Sequence, residues 1–382
     1  MSVTGNAANL SVCALQFKAE TAVRQDNENG RKQPAPIDTT TGPDGGGRLQ
    51  PSSIDVARLA GVSQSAVSRA FTPGASVSKK TREKVIAAAR ELGYQPSILP
   101  RILVTHRSHL VAIVIGGMYN PYYAKIFEQF TRQFQAQGYQ VLVFFVDHNE
   151  YFDAAIPLIM RYRVDGIISA LSIMSTEAAD ECAQMRIPVV LLNGRQQNKW
   201  VSAVCCDNVE GGRAVANLLF QKGGTRFAYI AGNETLANTD REQGFIGRLK
   251  ELGVEDVEIA KGNFHYEGGY EAARALFAKS NRPDAVFCAN DLTAIGAMEC
   301  ARAEYGLRIP DDVMIAGFDD ATFSSWPSYS LTTVRQNGPE MVDAAIAALK
   351  QRWQEGTASG GKLRLVPGTL CERKSTDRQV GS

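Results

Sequence analysis

From residue 108 onward the chain repeats one pattern: a run of four to seven apolar residues, a polar break, then a longer amphipathic stretch. A strand with one face in water alternates apolar and polar at period two. A run without that alternation is covered on both faces, which is the condition of a parallel sheet with crossover helices. The runs predict strands at 110–115, 140–146, 166–169, 189–192, 203–206, 227–231, 285–288 and 313–317. Helices are predicted at 122–137, 210–222, 240–252, 268–279 and 292–305. Eight strands in two similar halves fit one barrel or two lobes. The polar loops after the strands favour two doubly wound α/β lobes, because open sheets bind ligands beyond the carboxyl ends of their strands.

Residues 51–97 have a different texture, that of three short helices forming a small all-α domain. Ser52 or Ser53, Ser63 and Ser78 stand where side-chain oxygens can cap helix amino termini, and Gly61 and Gly93 stand where helices end. Ile54, Ala57 and Ala60 are expected on the inner face of the first helix. Ala66, Val67, Ala70 and Phe71 form the inner face of the second, leaving Gln64, Ser65, Ser68 and Arg69 outside. Between residues 51 and 107 there are nine Lys or Arg against three Asp or Glu, so the segment carries +6. The whole chain carries only +1, and residues 108–382 are mildly acidic. A basic head on an acidic body points to a polyanion partner for the head alone.

A composition of 44% hydrophobic and 21% charged residues is enough for a full core, so disorder is not the main state. Residues 1–50, rich in Gly, Thr, Asn and Gln, read as a disordered tail, and 377–382 as a short carboxyl-terminal one. Seven scattered cysteines make no disulfide framework, and the four histidines form no ligand cluster, so neither metal nor cofactor is expected. No apolar run of about 18 residues and no secretory leader pattern occurs, which predicts a cytoplasmic protein with no membrane partner.

The segment from Ile54 to Arg69, with Gly61-Val62-Ser63 at its turn, resembles the helix-turn-helix of the lactose/galactose repressor family. The likeness runs on through Val77-Ser78, Thr81-Arg82 and Glu91-Leu92-Gly93-Tyr94-Gln95-Pro96. It implies that the second helix enters the major groove of double-stranded DNA, with Gln64, Ser65 and Arg69 at the base-reading positions. Gln suits adenine and Arg suits guanine. Ser63 and Ser68 would hold phosphates, which sets register without reading sequence. Residues 98–107 take the place of the family's hinge helix, with Leu103 as its minor-groove wedge. Pro100 stands where the family usually has Ala, and proline is tolerated in a helix's first turn.

The resemblance extends to about Thr376, with landmarks at Asn120-Pro121-Tyr122-Tyr123, Asp207-Asn208, Arg241, Asn290-Asp291 and Gly317-Phe318-Asp319-Asp320, over a body that resembles the periplasmic sugar-binding proteins in architecture. It implies an effector cleft lined by Tyr122, Tyr123, Asn193, Arg241, Phe264, Asn290 and Asp319. Sugar recognition needs planar bidentate groups for vicinal hydroxyls and an aromatic face for the ring. Arg241, Asn290 and Asp319 supply the first, with Arg241 and Asp319 expected to face each other across the cleft; either tyrosine alone is equally consistent with core packing. Asp207 and Asn208 read as caps of the following helix. The expected molecule is a homodimeric, effector-controlled repressor on a near-palindromic operator, its effector a carbohydrate. Two other classes compete. An enzyme on a doubly wound fold would need a nucleotide-binding or nucleophile motif in a strand-to-helix turn, and none is present. A transport receptor would need a leader and no basic head.

Overall fold

The computed structural model describes residues 51–72, 74–95, 107–116, 120–146, 152–171, 174–194, 200–355 and 360–379. The chain forms two units that divide between residues 96 and 97. The expected tail at 1–50, all of the expected hinge at 98–107 except Arg107, Leu103 included, and residues 380–382 lie outside the described residues.

In the first unit, helices α1 (Ser53–Ala60), α2 (Gln64–Phe71) and α3 (Lys79–Leu92) are each capped by the serine before them. Ser52 and Asp55 form a reciprocal capping box on α1. Gly61 and Gly93 end α1 and α3 at φ 65° and 67°, where a side chain would be strained. Val56, Ala57, Val67, Ala70, Val85, Ala88 and Ala89 make the core, with Phe71, Leu92 and Tyr94 packed on it. Ile54 departs from expectation: it is 51% exposed, and Val56 takes the inner position. Val56, Ala57 and Ala60 fall within about 100° on the helix, and Ile54 lies well to one side of that arc.

The second unit is two lobes rather than a barrel. The N-lobe strands are β1 (Leu110–Ile115), β2 (Gln140–Phe145), β3 (Gly166–Ser169), β4 (Val189–Leu192) and β5 (Val201–Cys206). Helices α4 (Pro121–Ala136), α5 (Ile156–Met160) and α6 (Thr176–Gln184) lie between them. After β5 the chain crosses through α7 (Asn208–Gln221) into β6 (Phe227–Ala231), α8 (Leu236–Glu251) and β7 (Val257–Lys261). The C-lobe continues with α9 (Tyr266–Phe277), β8 (Ala285–Cys288), α10 (Asp291–Ala303), β9 (Met314–Asp319) and β10 (Thr332–Arg335). Helix α11 (Gly338–Glu355) returns the chain to the N-lobe, where β11 (Leu363–Val366) pairs with β5, and β12 (Thr369–Cys371) goes back to pair with β10.

The sheets share a plan, β11-β5-β4-β3-β1-β2 and β12-β10-β9-β8-β6-β7, with every pairing parallel except β12 on β10. Strands β1, β3, β4, β5, β6, β8 and β9 are almost wholly buried, as their unbroken apolar runs require. Strands β7, β10, β11 and β12 were not foreseen. Thr332 and Thr333 interrupt the apolar pattern of β10, and β11 mixes arginine with leucine. Inside the C-lobe, α7 and α8 pack backbone to backbone: a Cβ on Gly212 would overlap the Arg241 carbonyl, and one on Gly244 the Val209 carbonyl. That close approach places Arg241 against Asn208.

Candidate functional site

Between the lobes, at the carboxyl ends of both sheets, lies a cavity of about 210 Å³. The N-lobe lines it with Gly116 and Leu171 beyond β1 and β3, Asn193 beyond β4, and Asn120, Tyr123 and Phe127 on and before α4. The C-lobe supplies Thr235, Arg241, Phe264, His265, Asn290 and Asp319. Six of the seven expected residues thus share one cavity. Tyr122 is the exception: it is buried in the N-lobe core and its hydroxyl donates to the Met341 sulfur at 3.4 Å. Consecutive helix residues point about 100° apart, so α4 turns Tyr123, with Phe127 one turn on, to the cavity and Tyr122 away from it.

Arg241 is fully held. Its Nε donates to Asn208 Oδ1 at 2.9 Å, and Nη1 donates to the Ala289 carbonyl at 2.6 Å. Nη2 lies 3.6 Å from Asp319 Oδ1, and the guanidinium sits 3.7 Å above the Phe318 ring. Arg241 and Asp319 were expected to oppose each other across the cleft. Both belong to the C-lobe, from α8 and the end of β9, because the crossover after β5 puts both on the same sheet's side. The group that meets Asp319 from the other lobe is Asn120, whose Nδ2 donates to Oδ2 at 2.5 Å. Gln336, at the crossover into α11, donates to Oδ1 at 2.6 Å. Neither was among the expected ligand residues. Asn120 belongs to the Asn120-Pro121-Tyr122-Tyr123 landmark of the resemblance and caps α4, and Gln336 carries no local signal.

Burial pushes the Asp319 carboxyl above the ordinary carboxylate range, against the opposing pull of Arg241, Asn120 and Gln336. Burial and Asp319 together push the Tyr123 phenol up as well, against the opposing pull of Arg241 and the Asn193 side chain. Asn193 takes φ 55°, a conformation asparagine tolerates. Asn290 caps α10 through Thr293 N–H and donates Nδ2 to the Phe264 carbonyl at 3.1 Å, which fixes that aromatic loop. Beneath the site Asp291 accepts from Ala321 N–H, Ser324 Oγ and Thr333 Oγ1 at 2.7, 2.7 and 2.5 Å. Asp207 caps α7, as read.

The other candidate surface is α2. Ser63, Gln64, Ser65, Ser68 and Arg69 are all exposed, while Val67 and Ala70 are buried. Ser63 caps the helix through Ala66 N–H and touches Ser65 Oγ at 3.0 Å, and Gln64 Nε2 donates to Ser53 Oγ at 3.0 Å. Among the described residues no group of three or more His, Cys, Asp or Glu is placed to hold a metal ion, and no helix is long and apolar enough to cross a membrane. The Cys206 thiol is pushed up to about 12 by burial, so Cys206 offers no reactive thiolate there.

Residues 54–97 match the model of bacterial regulatory proteins of the lacI family, and residues 216–376 match a periplasmic binding protein-like domain. The HTH-type transcriptional repressor PurR of Erwinia tasmaniensis is 31% identical over 331 residues, spanning 84% of this chain and 95% of that protein. The chain belongs to the lacI family. The ribose operon repressor of Escherichia coli K12 is likewise 31% identical over 331 residues, covering 84% of this chain and 98% of its own. Among lacI-family structures, a lac repressor dimer bound to operator and the anti-inducer ONPF is 26% identical, with a TM-score of 0.76 over 86% of this chain and 99% of that one. The helix-turn-helix head and the two-lobed body are the two halves of a lacI-family regulator: one binds DNA and the other an effector.

Proposed function

We propose that this chain is a cytoplasmic homodimeric repressor without enzymatic activity, which reads a near-palindromic operator through α2 and is controlled by a small neutral sugar or sugar derivative in the interlobe cleft. The observation that carries this reading is the buried Arg241–Asp319 pair set beside Tyr123 and Phe264 in one small cavity. Charged planar groups beside aromatic rings are the chemistry of vicinal hydroxyls on a sugar ring. The volume lies below the roughly 300–1,000 Å³ of drug-sized pockets, so the ligand is small. Arg241 already faces a carboxylate, which favours a neutral ligand over an anionic one. The ribose operon repressor among its relatives accords with this.

On α2, Arg69 and Gln64 read bases, Ser65 assists, and Ser68 touches the backbone; Ser63 is committed to its cap. For the dimer, Val143 and Phe145 stand 61% exposed on edge strand β2, an apolar face suited to burial against a second copy. Two-fold protein symmetry then asks for a two-fold site.

Two measurements test the reading. Gel-shift titrations of Arg69→Ala are expected to lose about 1–3 kcal/mol at the operator, with preference blurred at one base pair per half-site. Equal weakening on every sequence would make Arg69 a phosphate contact. A sugar at about 100 times its dissociation constant should stabilise the body by about 2.7 kcal/mol in a thermal-shift screen. Stabilisation by purine bases and by no sugar would overturn the sugar assignment.

A further inference from the structure

All strands of the N-lobe sheet are parallel, so they enter along one edge and leave along the other, where the cleft lies. The entry edge carries a recess of about 750 Å³ that the effector site does not use. Arg107, Arg163 and Arg186 line it, and each stands three residues before a strand, β1, β3 and β4 respectively. Those strands are consecutive neighbours in the sheet, so the three arginines stand in the turns that enter adjacent strands, side by side along one edge of the sheet. All three are exposed. Behind them the wall includes buried Arg352, whose guanidinium lies 5.6 Å from the Trp200 ring centre, and Trp353, held by its Nε1–H donating to the Asp165 carbonyl at 2.6 Å.

Four guanidiniums meet two carboxylates in this lining, those of Asp165 and Glu355. Asp165 accepts from the backbone N–H groups of Ser108 and His109 and from the Ser108 hydroxyl. The recess is therefore positive. Backbone conformation adds a second observation. Arg163 and Arg186 follow helices α5 and α6 at φ 48° and 57°, where glycine or asparagine is favoured. Glycine would relieve both positions, yet each carries a guanidinium.

We propose that this recess is a second small-molecule site, which takes a phosphate-bearing ligand. The arginine row matches the forked hydrogen bonding of a phosphate group, and the tryptophan wall faces the organic remainder. A concave recess suits a compact ligand better than a continuous nucleic-acid backbone. The ligand would act from the edge of the sheet opposite the effector cleft, as an independent chemical input.

The test uses the full chain, with inorganic phosphate and pyrophosphate against chloride at matched ionic strength, read by thermal shift and tryptophan fluorescence. The probe variant is the double substitution Arg163→Gly with Arg186→Gly, because glycine suits the left-handed backbone and keeps the fold. The wild-type chain is expected to shift upward in Tm and to change its tryptophan emission. The double variant should need at least tenfold more phosphate, with a phosphate-free Tm equal to or above wild type and an unchanged response to the cleft ligand. A wild-type chain indifferent to both probes, with a double variant of lower Tm, would reduce the arginines to helix-end counter-charges and overturn the proposal. Indifference to the probes combined with weaker binding of the double variant to all DNA sequences alike would assign the row to the DNA backbone, which also overturns it.

Discussion

The two lobes have one sheet plan, yet they contribute different materials to the cleft. The C-lobe brings Arg241, Asn290 and Asp319, each buried: Arg241 is fastened to Asn208 and the Ala289 carbonyl, Asn290 to Thr293 and the Phe264 carbonyl, and Asp319 to Gln336. The N-lobe brings Tyr123, Phe127 and Leu171, with Asn193 and Asn120 as its polar groups. A buried network is costly to assemble and costly to break, because each member left alone keeps its desolvation penalty. An apolar wall with two amides can move away and return at little cost. The C-lobe is thus built as the anchor, and the N-lobe as the half that closes on it. Asn120 on Asp319 is the hydrogen bond that joins the two halves at this point.

The sharpest way to break this comparison is to remove the anchor. Arg241→Ala leaves Asp319 buried without its cation and strips partners from Asn208 and the Ala289 carbonyl. The expected cost is about 3–5 kcal/mol of body stability together with loss of the effector response, read by calorimetry and by gel shifts with and without ligand. A variant that melts like wild type and responds with an unchanged half-point would show that the anchor lies elsewhere.

The matching cut on the N-lobe is Tyr123→Phe, which deletes the buried phenol hydroxyl near Asn193 and keeps the ring. About 0.5–1.5 kcal/mol is expected in stability, with effector affinity reduced more than folding. Equal losses from both lobes would erase the distinction between them.

The smallest effect concerns protons. Burial pushes the Asp291 carboxyl up, so between the ordinary value near 4 and the raised native one the folded state binds more protons than the unfolded. This group's contribution to stability therefore falls as pH rises through that window. Asp291→Asn keeps the geometry and should flatten the fall, measured as Tm against pH from about 4 to 7. An unchanged slope would move the titration to another group.

Much of this molecule was legible in its residues. Unbroken apolar runs predicted the covered strands of both lobes, serines and glycines marked the ends of α1 and α3, and the periodicity of α2 separated Val67 and Ala70 from the exposed Gln64, Ser65, Ser68 and Arg69. These are properties of near neighbours, set by propensity, capping and period. The resemblance to a repressor family named the cleft residues, and Tyr123, Asn193, Arg241, Phe264, Asn290 and Asp319 do line one cavity. What only the tertiary structure decided is who meets whom. Arg241 and Asp319 proved to be partners within one lobe, Tyr122 turned into the core, and Asn120 met Asp319 across 199 positions of chain. Strands β10 to β12 and the arginine row at the sheet's entry edge are likewise invisible locally, since Thr332, Arg364 or Arg186 acquires its setting only when distant strands align. Pairing of that kind depends on three crossovers between the lobes, and no short window of sequence contains a crossover's two ends.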